Sequence, residues 1–586
     1  MAQTKDVTLA RKRALEHLTQ GLAGTTAFLF VVSGVINVLA LTGSFYMLQI
    51  YDRALTSGSI PTLVALSVLA IGLYLFQGGF DVIRSQVLVR VGARLDARIG
   101  PLAHSVAIDM PRFGFSVPES LERGRDVDNV RGFLAGQGPS AFFDLPWIPL
   151  YLAFIYLLHP WLGAMTIAGA FVLALLTLVS EVMTRRLNGA ARAAAIHRNG
   201  IADSNARNAD VVKAMGFSGA AVARFSKANA EHLELQTRTS DISGTFGAIS
   251  RVLRMLLQSA LLGLGAFLTI KGELSAGAII ACSVASARAL APVDTAIGNW
   301  KGFVSARAAF QRLRETVAAF ASATQATDLP APVSSLSVER LTVAAPGTGH
   351  VLLSDISFEV RAGQAVGIIG PSAGGKTTLV RALTGVWPSL RGHIRLDGAE
   401  LSQWRPEMLG QQIGYMPQDV SLLDATVEEN ISRLAVDPDP RKLIEATRAA
   451  GVHEMIVRLH DGYQTQLGSQ GLSLSAGQRQ RIGLARALYG NPFLVVLDEP
   501  NSNLDAEGDA ALQGAIESVR NRGGIAIVIA HRPSVLAAVD LIGVVQSGKL
   551  VAFGPKDQIL AALNRPAAQT TVQQGGDVAQ GMRVPA

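Results

Sequence analysis

Hydrophobic positions in the first half of the chain come in long unbroken runs, not at the spacing of an amphipathic surface helix. The runs over 27–49, 60–80, 141–158, 161–180, 255–270 and 274–291 lie near the ~20 apolar residues that carry a helix across the hydrocarbon core. They predict six membrane spans. The third is the weakest, because Asp144 and Pro146 stand near its start and must lie at the interface or inside the bundle. Three connections are short (51–59, His159-Pro160 and 271–273), whereas 81–140 and 181–254 are long and hold Arg84, Arg90, Arg94, Arg98, Arg185, Arg186 and Arg192. By the positive-inside rule the long basic connections and both termini face the cytoplasm, and the short hairpins face outward. Within the long connections apolar and charged residues alternate at helical spacing, as in VIRSQVLVRVGARLDARIG. The membrane helices therefore continue well beyond the bilayer.

The pattern changes after 300–320. Residues 321–335 are small, polar and Pro-containing, which reads as a linker between a membrane domain over 21–320 and a second domain over 336–564. In that second domain short β-rich runs alternate with helical stretches, the pattern of an α/β fold on a largely parallel sheet. The ends are polar. Residues 565–586 read as a disordered tail, and 1–20 as a basic cytoplasmic segment with Lys5, Arg11, Lys12 and Arg13. That segment is not a secretory leader, since the apolar run after it is longer than an h-region.

Composition agrees with a membrane protein: of 586 residues 49% are hydrophobic and only 17% charged. The single cysteine, Cys282, excludes an intrachain disulfide framework and a Cys-based metal site, and its apolar setting predicts a buried thiol. The net charge of +7 needs only topology to explain it, and no aromatic-rich basic stripe points to nucleic acid. Two polar residues stand inside spans. Asn37 reads as a bridge between helices, while Arg288 reads either as a residue of a translocation path or as an arginine snorkelling from a helix end.

The chemistry concentrates in Gly370-Pro371-Ser372-Ala373-Gly374-Gly375-Lys376-Thr377, which has the G-x-x-x-x-G-K-[ST] pattern of a P-loop. Its glycines let backbone N–H groups turn in around phosphates, Lys376 reaches their outer oxygens and Thr377 offers a hydroxyl to Mg²⁺. An apolar run over 364–369 predicts a buried strand before the loop. Helix formers from Thr378 to Leu383 predict a helix after it, which puts the phosphates at a helix N-terminus. A second buried-strand run, 493–497, ends at Asp498-Glu499. Asp498 is placed to reach the metal held by Thr377, and Glu499 to polarise an attacking water. His531, after the strand-like 525–530, is a candidate contact for the γ-phosphate.

At Leu474-Ser475-Ala476-Gly477-Gln478, followed by Arg479-Gln480-Arg481, the chain resembles the signature of ATP-binding cassette (ABC) transporters. Gln418 in GYMPQD matches that family's Q-loop, and Ser502-Asn503-Leu504-Asp505 its D-loop. The resemblance implies a six-helix transmembrane domain of type I exporter kind followed by a P-loop nucleotide-binding domain. It implies ATP held by the loop residues 370–377 with Thr378, Gln418 and Asp498, and closed by Ser475, Gly477, Gln478 and Asp505 across a head-to-tail homodimer. Mg²⁺ would be held by Thr377, Gln418 and Asp498, with Glu499 and His531 catalytic. Three departures stand out. Ala476 replaces the usual signature glycine, Ala373-Gly374 replaces Gly-Ser, and Ala345 stands where an adenine-stacking aromatic is usual, a loss worth on the order of 1 kcal/mol of ATP binding.

The membrane half narrows the resemblance. RDVDNVRGFLAGQGPSAFFDLPWIPLYL (125–152), VVKAMGF (211–217) and RALAPVDTAIGNWKGFVSARAAFQRL (288–313) are similar to type I secretion permease/ATPases, the group that exports proteases, lipases and RTX proteins. That implies an inner-membrane exporter of unfolded proteins with a C-terminal signal, working with a periplasmic membrane-fusion adaptor and an outer-membrane channel. No N-terminal peptidase-like domain is expected ahead of the first span. An exporter of lipids or small amphiphiles shares the cassette chemistry and is the alternative. A nucleotide-controlled channel or scaffold is a third reading, against which Glu499 and His531 argue.

Overall fold

The computed structural model describes residues 22–320, 328–468, 474–530 and 532–563. These cluster into two compact units, one within Met1–Pro111 and Phe115–Ala323, the other within Arg112–Gly114 and Thr324–Ala586.

The first unit is all helix. It comprises α1 (Leu22–Ala40), α2 (Thr42–Gln49), α3 (Ile60–Asp109), α4 (Val117–Ala135), α5 (Gly138–Asp144), α6 (Ile148–Leu158), α7 (Pro160–Arg207), α8 (Ala209–Ala214), α9 (Ser218–Ile270) and α10 (Ala276–Phe320). Six stretches are long and apolar enough to cross a membrane: Ala23–Ser57, Ile60–Phe113, Gly138–Leu158, Pro160–Arg207, Ser218–Ile270 and Ala276–Ala319. The 50 residues of α3 span about 75 Å at 1.5 Å per residue, more than twice the ~30 Å hydrocarbon thickness. The long connections are thus helical continuations, as their periodicity predicts.

Two spans are not the single helices that their hydrophobic runs suggest. The first is interrupted near Leu41 and passes through a π turn, Ile50–Ala54, before its last helical turn, Leu55–Ser57. Asp52 in that turn accepts from Ser275 Oγ (2.7 Å) and the Gly277 N–H (3.0 Å), which fastens it to the start of α10. The third is broken into α5 and α6 by the 3₁₀ turn Leu145–Trp147, because Pro146 supplies no N–H to continue an α-helix. The break lets Trp147 lie close to α1, where a Cβ on Gly34 would come within 2.4 Å of the indole.

Asp144 is met at this break by Asn37 Nδ2 (2.8 Å) and Arg84 Nη1 (2.7 Å). Asn37 also accepts from the Tyr151 hydroxyl at 3.0 Å, so it bridges helices as expected. Cys282 is buried in an apolar cluster with Ile155, Leu162, Leu261 and Ala285.

A second polar node ties the helical continuations together. Asp126 on α4, fully buried, accepts from Arg123 Nη1 (3.0 Å), Arg192 Nη2 on α7 (3.0 Å) and Arg312 Nε and Nη2 on α10 (3.0 and 2.6 Å). Three cations around one buried carboxylate hold α4, α7 and α10 in a single arrangement. The N-terminus of α4 is closed by a capping box between Ser116 and Glu119. The Ser116 backbone and hydroxyl bonds, followed by the charge of Arg123, hold the Glu119 carboxyl below its ordinary pKa.

The second unit has two sheets. Strands β1 (Ser335–Ala344), β2 (Val351–Arg361), β4 (Arg391–Leu396) and β5 (Ala399–Glu400) form an antiparallel sheet in the order β2-β1-β4-β5. The other sheet has the order β10-β9-β3-β8-β7-β6. It is built from β3 (Ala365–Ile369), β6 (Ile413–Met416), β7 (Leu494–Asp498), β8 (Ile525–Ile529), β9 (Leu541–Gln546) and β10 (Lys549–Pro555), and is parallel except for the β9–β10 hairpin. Every residue of β7 and β8 is buried, as continuous apolar runs in a parallel sheet require. The antiparallel sheet has no counterpart in the expectation of one largely parallel sheet. Its strands alternate and bulge, a weaker signal than the buried runs.

Removing Asp126 takes the buried carboxylate from Arg123 and Arg312, while Arg192 keeps Glu122 at 2.6 Å, so the cost falls at or below the ~3 kcal/mol lower end for breaking a buried ion pair. We expect Asp126→Ala to lower the thermal unfolding midpoint of the detergent-solubilised full chain by several degrees, and Asp126→Asn, which keeps the shape, by less. An unchanged midpoint in both would show that the cluster contributes nothing to stability.

Candidate functional site: a phosphate-binding loop and its partners

Strand β3 delivers the chain to the loop Gly370–Gly375, and helix α11 (Lys376–Leu383) leaves it. The loop is shaped by backbone approach as well as by turn conformation. Gly370 has φ +150°, and a Cβ there would lie 2.0 Å from the Val545 carbonyl; Gly375 has φ +101°, and a Cβ would lie 2.7 Å from Leu353. No side chain fits at either position. Ala373 is left-handed as well, at φ +62°, where an L-residue is strained.

Lys376 begins α11 with its ammonium turned back into the loop, donating to the Gly370 (2.8 Å) and Pro371 (2.9 Å) carbonyls. Its burial lowers its pKa, against the pull of Glu499 and Asp498. Thr377 and Thr378 follow in the first turn, Thr378 buried and Thr377 half-buried. Backbone N–H groups of that turn have no intrahelical acceptor, so loop, ammonium and helix terminus together suit a polyphosphate. Ser372 is exposed on the loop.

Asp498 closes β7 two strands away from β3, and the sheet brings it to Thr377: Oγ1 donates to Asp498 Oδ1 at 3.5 Å. The other carboxylate oxygen, Oδ2, is buried with no hydrogen-bond partner. Burial raises the Asp498 pKa most, opposed by the Thr377 bond and reinforced by the neighbouring Glu499 charge. An orphaned carboxylate oxygen beside a hydroxyl is an oxygen donor set suited to a hard divalent cation. Among the described residues no group of three or more His, Cys, Asp or Glu gathers anywhere. A cation here would therefore share its coordination with phosphate oxygens.

Glu499 also takes a left-handed conformation, φ +51°, just past the strand end. That strain turns its side chain to Gln418, whose Nε2 donates to Glu499 Oε2 at 3.0 Å. Gln418, two residues past β6, leaves its amide oxygen facing away from that bond. Lys376, Thr377, Gln418, Asp498 and Glu499 thus form one cluster drawn from three segments: the start of α11, the chain after β6 and the end of β7.

The signature residues stand on a different element, helix α16 if the shorter helices α12 (Pro406–Gln412), α13 (Val427–Ile431), α14 (Pro440–Ala449) and α15 (His453–Val457) are counted before it; α16 runs from Ala476 to Leu488. Ser475 and Gln478 form its capping box, with Gln478 N–H to Ser475 Oγ at 3.2 Å and Ser475 N–H to Gln478 Oε1 at 2.9 Å. Gly477 admits the Asn503 carbonyl, which a Cβ would approach to 2.9 Å. Asp505 caps the next helix, α17 (Ala506–Asn521), and accepts from Arg481 at 2.5 Å. The Gly508 N–H, then Arg481, hold its carboxyl below the ordinary range.

Gln480 was not singled out by the sequence reading. It is buried on α16, donates to Ser502 Oγ (3.2 Å) and accepts from the Asn503 N–H (3.1 Å), so it joins the signature helix to the segment after Glu499. A glutamine on the apolar face of an amphipathic helix is the signal that could have found it. Ala345, just past β1, donates its N–H to the His350 carbonyl at 2.7 Å, and brings no ring to this site. His531 lies outside the described residues.

Sequence comparison fits this geometry. The ABC transporter family matches residues 353–502, and the ABC transporter transmembrane region matches 26–293. The type I secretion system ATP-binding protein PrsD of Rhizobium meliloti (strain 1021) is 50% identical over 536 residues, 92% of each chain. This chain belongs to the ABC transporters of type I secretion. The transporter is also 27% identical to the toxin RTX-I translocation ATP-binding protein of Actinobacillus pleuropneumoniae, over 91% of this chain and 76% of that one. Its fold matches a bacterial Atm1-family ABC exporter with ATP bound, at TM-score 0.80 and 22% identity, covering 94% of the transporter and all of that chain.

Ala373 offers a direct test of loop strain in the transporter. A left-handed alanine costs about 1–2 kcal/mol, while glycine adds roughly 0.4–1 kcal/mol of unfolded-state entropy. Ala373→Gly should therefore stabilise the cassette by up to about 1.5 kcal/mol, read as a higher thermal midpoint of the purified protein. A lower midpoint would show that the surrounding contacts favour the alanine.

Proposed function

We propose that this transporter is the inner-membrane component of a type I secretion system. It works as a homodimer that uses ATP to export unfolded proteins bearing a C-terminal signal, together with a periplasmic adaptor and an outer-membrane channel. The observation that carries this reading is the 50% identity, across 92% of both chains, to a type I secretion ATP-binding protein. Six apolar stretches support a multi-pass chain, and the arginine-rich helical continuations support cytoplasmic placement of the cassette and both termini.

In this reading Gly370, Pro371, Ser372, Ala373, Gly374 and Gly375 cradle the phosphates through their backbone. Lys376 neutralises them and Thr378 anchors the helix turn behind them. Thr377, Gln418 and Asp498 hold Mg²⁺, which when bound neutralises charge on the phosphate oxygens. Glu499 orients and deprotonates the attacking water, and Gln418, bonded to Glu499, links that base to the metal ligands. His531 steadies the γ-phosphate. Ser475, Gly477 and Gln478, with Asp505 behind them, present the N-terminus of α16 to the nucleotide of the second copy.

The metal assignment predicts a stability effect at Asp498. Burial raises its pKa, so the folded state holds the proton more tightly than the unfolded chain. The penalty is absent below the unfolded carboxylate range and grows as pH rises through the folded value. At neutral pH and without metal, Asp498→Asn should raise the thermal midpoint, and it should abolish the added stabilisation that Mg²⁺ with ATP gives the unaltered protein. A Mg²⁺ increment surviving in that variant would remove Asp498 from the metal site.

Secretion into the medium tests the function itself. Cells supplying the transporter, an adaptor and an outer-membrane partner should export a cargo that keeps its C-terminal segment and not one that lacks it. Glu499→Gln should still bind ATP yet stop both steady hydrolysis and export. Protein export that continues in Glu499→Gln, or no protein export alongside ATP hydrolysis stimulated by lipids or small amphiphiles, would overturn the reading.

A further inference from the structure

A cavity of about 470 Å³ opens among α1, α3, α5, α6 and α10 of the membrane unit. Its wall is unusual for a helical membrane bundle, because amide and hydroxyl groups of Gln77, Gln137, Ser140 and Thr295 line it alongside four charged side chains. Ionisable groups at membrane depth are costly and are kept where they pair or act.

Three of the four are paired. Arg84 donates to Asp81 (2.7 Å), to Asp144 (2.7 Å) and to Ser33 (3.2 Å), and Asp144 takes a further bond from Asn37. This network accounts for one cation and two carboxylates. The fourth, Arg288 on α10, lies on the same wall near Tyr151, is exposed to the cavity and has no hydrogen-bond or ion-pair partner among the described residues. Neighbouring Ala285, Ala289 and Leu290 are buried, so the helix fixes Arg288 on the open side.

We propose that Arg288 is a cargo contact that takes the carboxylates of acidic residues as the exported polypeptide passes. The proposal rests on the protein-export reading. A guanidinium gives a carboxylate two parallel charge-assisted hydrogen bonds and gives an amide no such pair, so the site discriminates Asp and Glu from Asn and Gln. The wall mixes amides and hydroxyls with Ile36, Ala40, Leu88 and Pro292, which suits the varied side chains of a polypeptide, and a lipid headgroup on Arg288 is the competing occupant that the test separates. Arg84, held by its own carboxylates, sets the cavity shape and leaves Arg288 as the anion site.

The test uses the full-length transporter in nanodiscs of zwitterionic lipid. The probes are a fluorescent, terminally blocked peptide of alternating Glu and Gly and its Gln–Gly counterpart. The unaltered protein should bind the Glu peptide about tenfold more tightly, a difference of the size charge-assisted bonds give. Arg288→Gln should lose the preference, Arg288→Lys should keep part of it, and basal ATP hydrolysis should be unchanged in both.

Equal binding of the two peptides by the unaltered protein, or a preference that persists in Arg288→Gln, overturns the proposal. So does a variant that changes only retention of labelled anionic lipid, which would make Arg288 a headgroup contact, or one that falls apart into monomers, which would make it a contact between copies. Secretion separates the two levels of argument. If the unaltered transporter exports no protein, the export reading itself fails. If it exports, and Arg288→Gln handles an acidic cargo and its Asn/Gln-substituted form in the unaltered ratio, the Arg288 proposal alone fails.

Discussion

A carboxylate taken out of water must be met by cations or hydrogen-bond donors, and three such carboxylates organise this molecule. Asp144 sits where the third span breaks and is met by Arg84 and Asn37. Asp126 sits among the helical continuations and is met by three arginines. Asp498 sits at a strand end and is met by Thr377 through one oxygen only. The first two are satisfied and act as fasteners. The third is left one partner short, with one buried oxygen unmet by any donor.

The nucleotide site depends equally on strain that a stiff frame holds in place. Ala373 and Glu499 are both left-handed, and Gly370 and Gly375 occupy positions where a side chain would collide with Val545 and Leu353. Such conformations persist only where surrounding structure over-determines them. Here the frame is the fully buried strands β7 and β8 with β3 beside them, which fix the ends of the connecting loops. The strain at Glu499 has a visible product, since it points the carboxylate at Gln418 and away from the strand axis.

Much of this was legible in the sequence, for reasons that differ from element to element. The P-loop was legible because phosphate binding demands glycines and a lysine at fixed local spacing. The strands after Gln364 and before Asp498 were legible because parallel strands buried on both faces need unbroken apolar runs. The long helical arms were legible from their periodicity. The break at Pro146 was anticipated only as a weakness, because a hydrophobic count does not register a lost N–H. The antiparallel sheet went unread, because bulges interrupt the β1–β2 hairpin and only β1 with β4 joins strands far apart in sequence. Gln480 and Asp126 went unread because a polar residue in an amphipathic helix looks the same whether it faces water or three partners.

The sequence by itself therefore determined which chemistry is present: six spans, a phosphate loop, an acidic pair after a buried strand, and the family whose motifs these are. These follow from local spacing and from hydrophobic length, which the chain carries wherever it folds. Only the tertiary structure decided which charges are spent and which are free. Arg84 and Arg288 look alike as single arginines at the ends of apolar runs. One is consumed by Asp81 and Asp144, and the other faces a cavity. That difference arises from contacts between residues more than fifty positions apart in the chain, such as Arg84 with Asp144, and so from packing that no local pattern encodes.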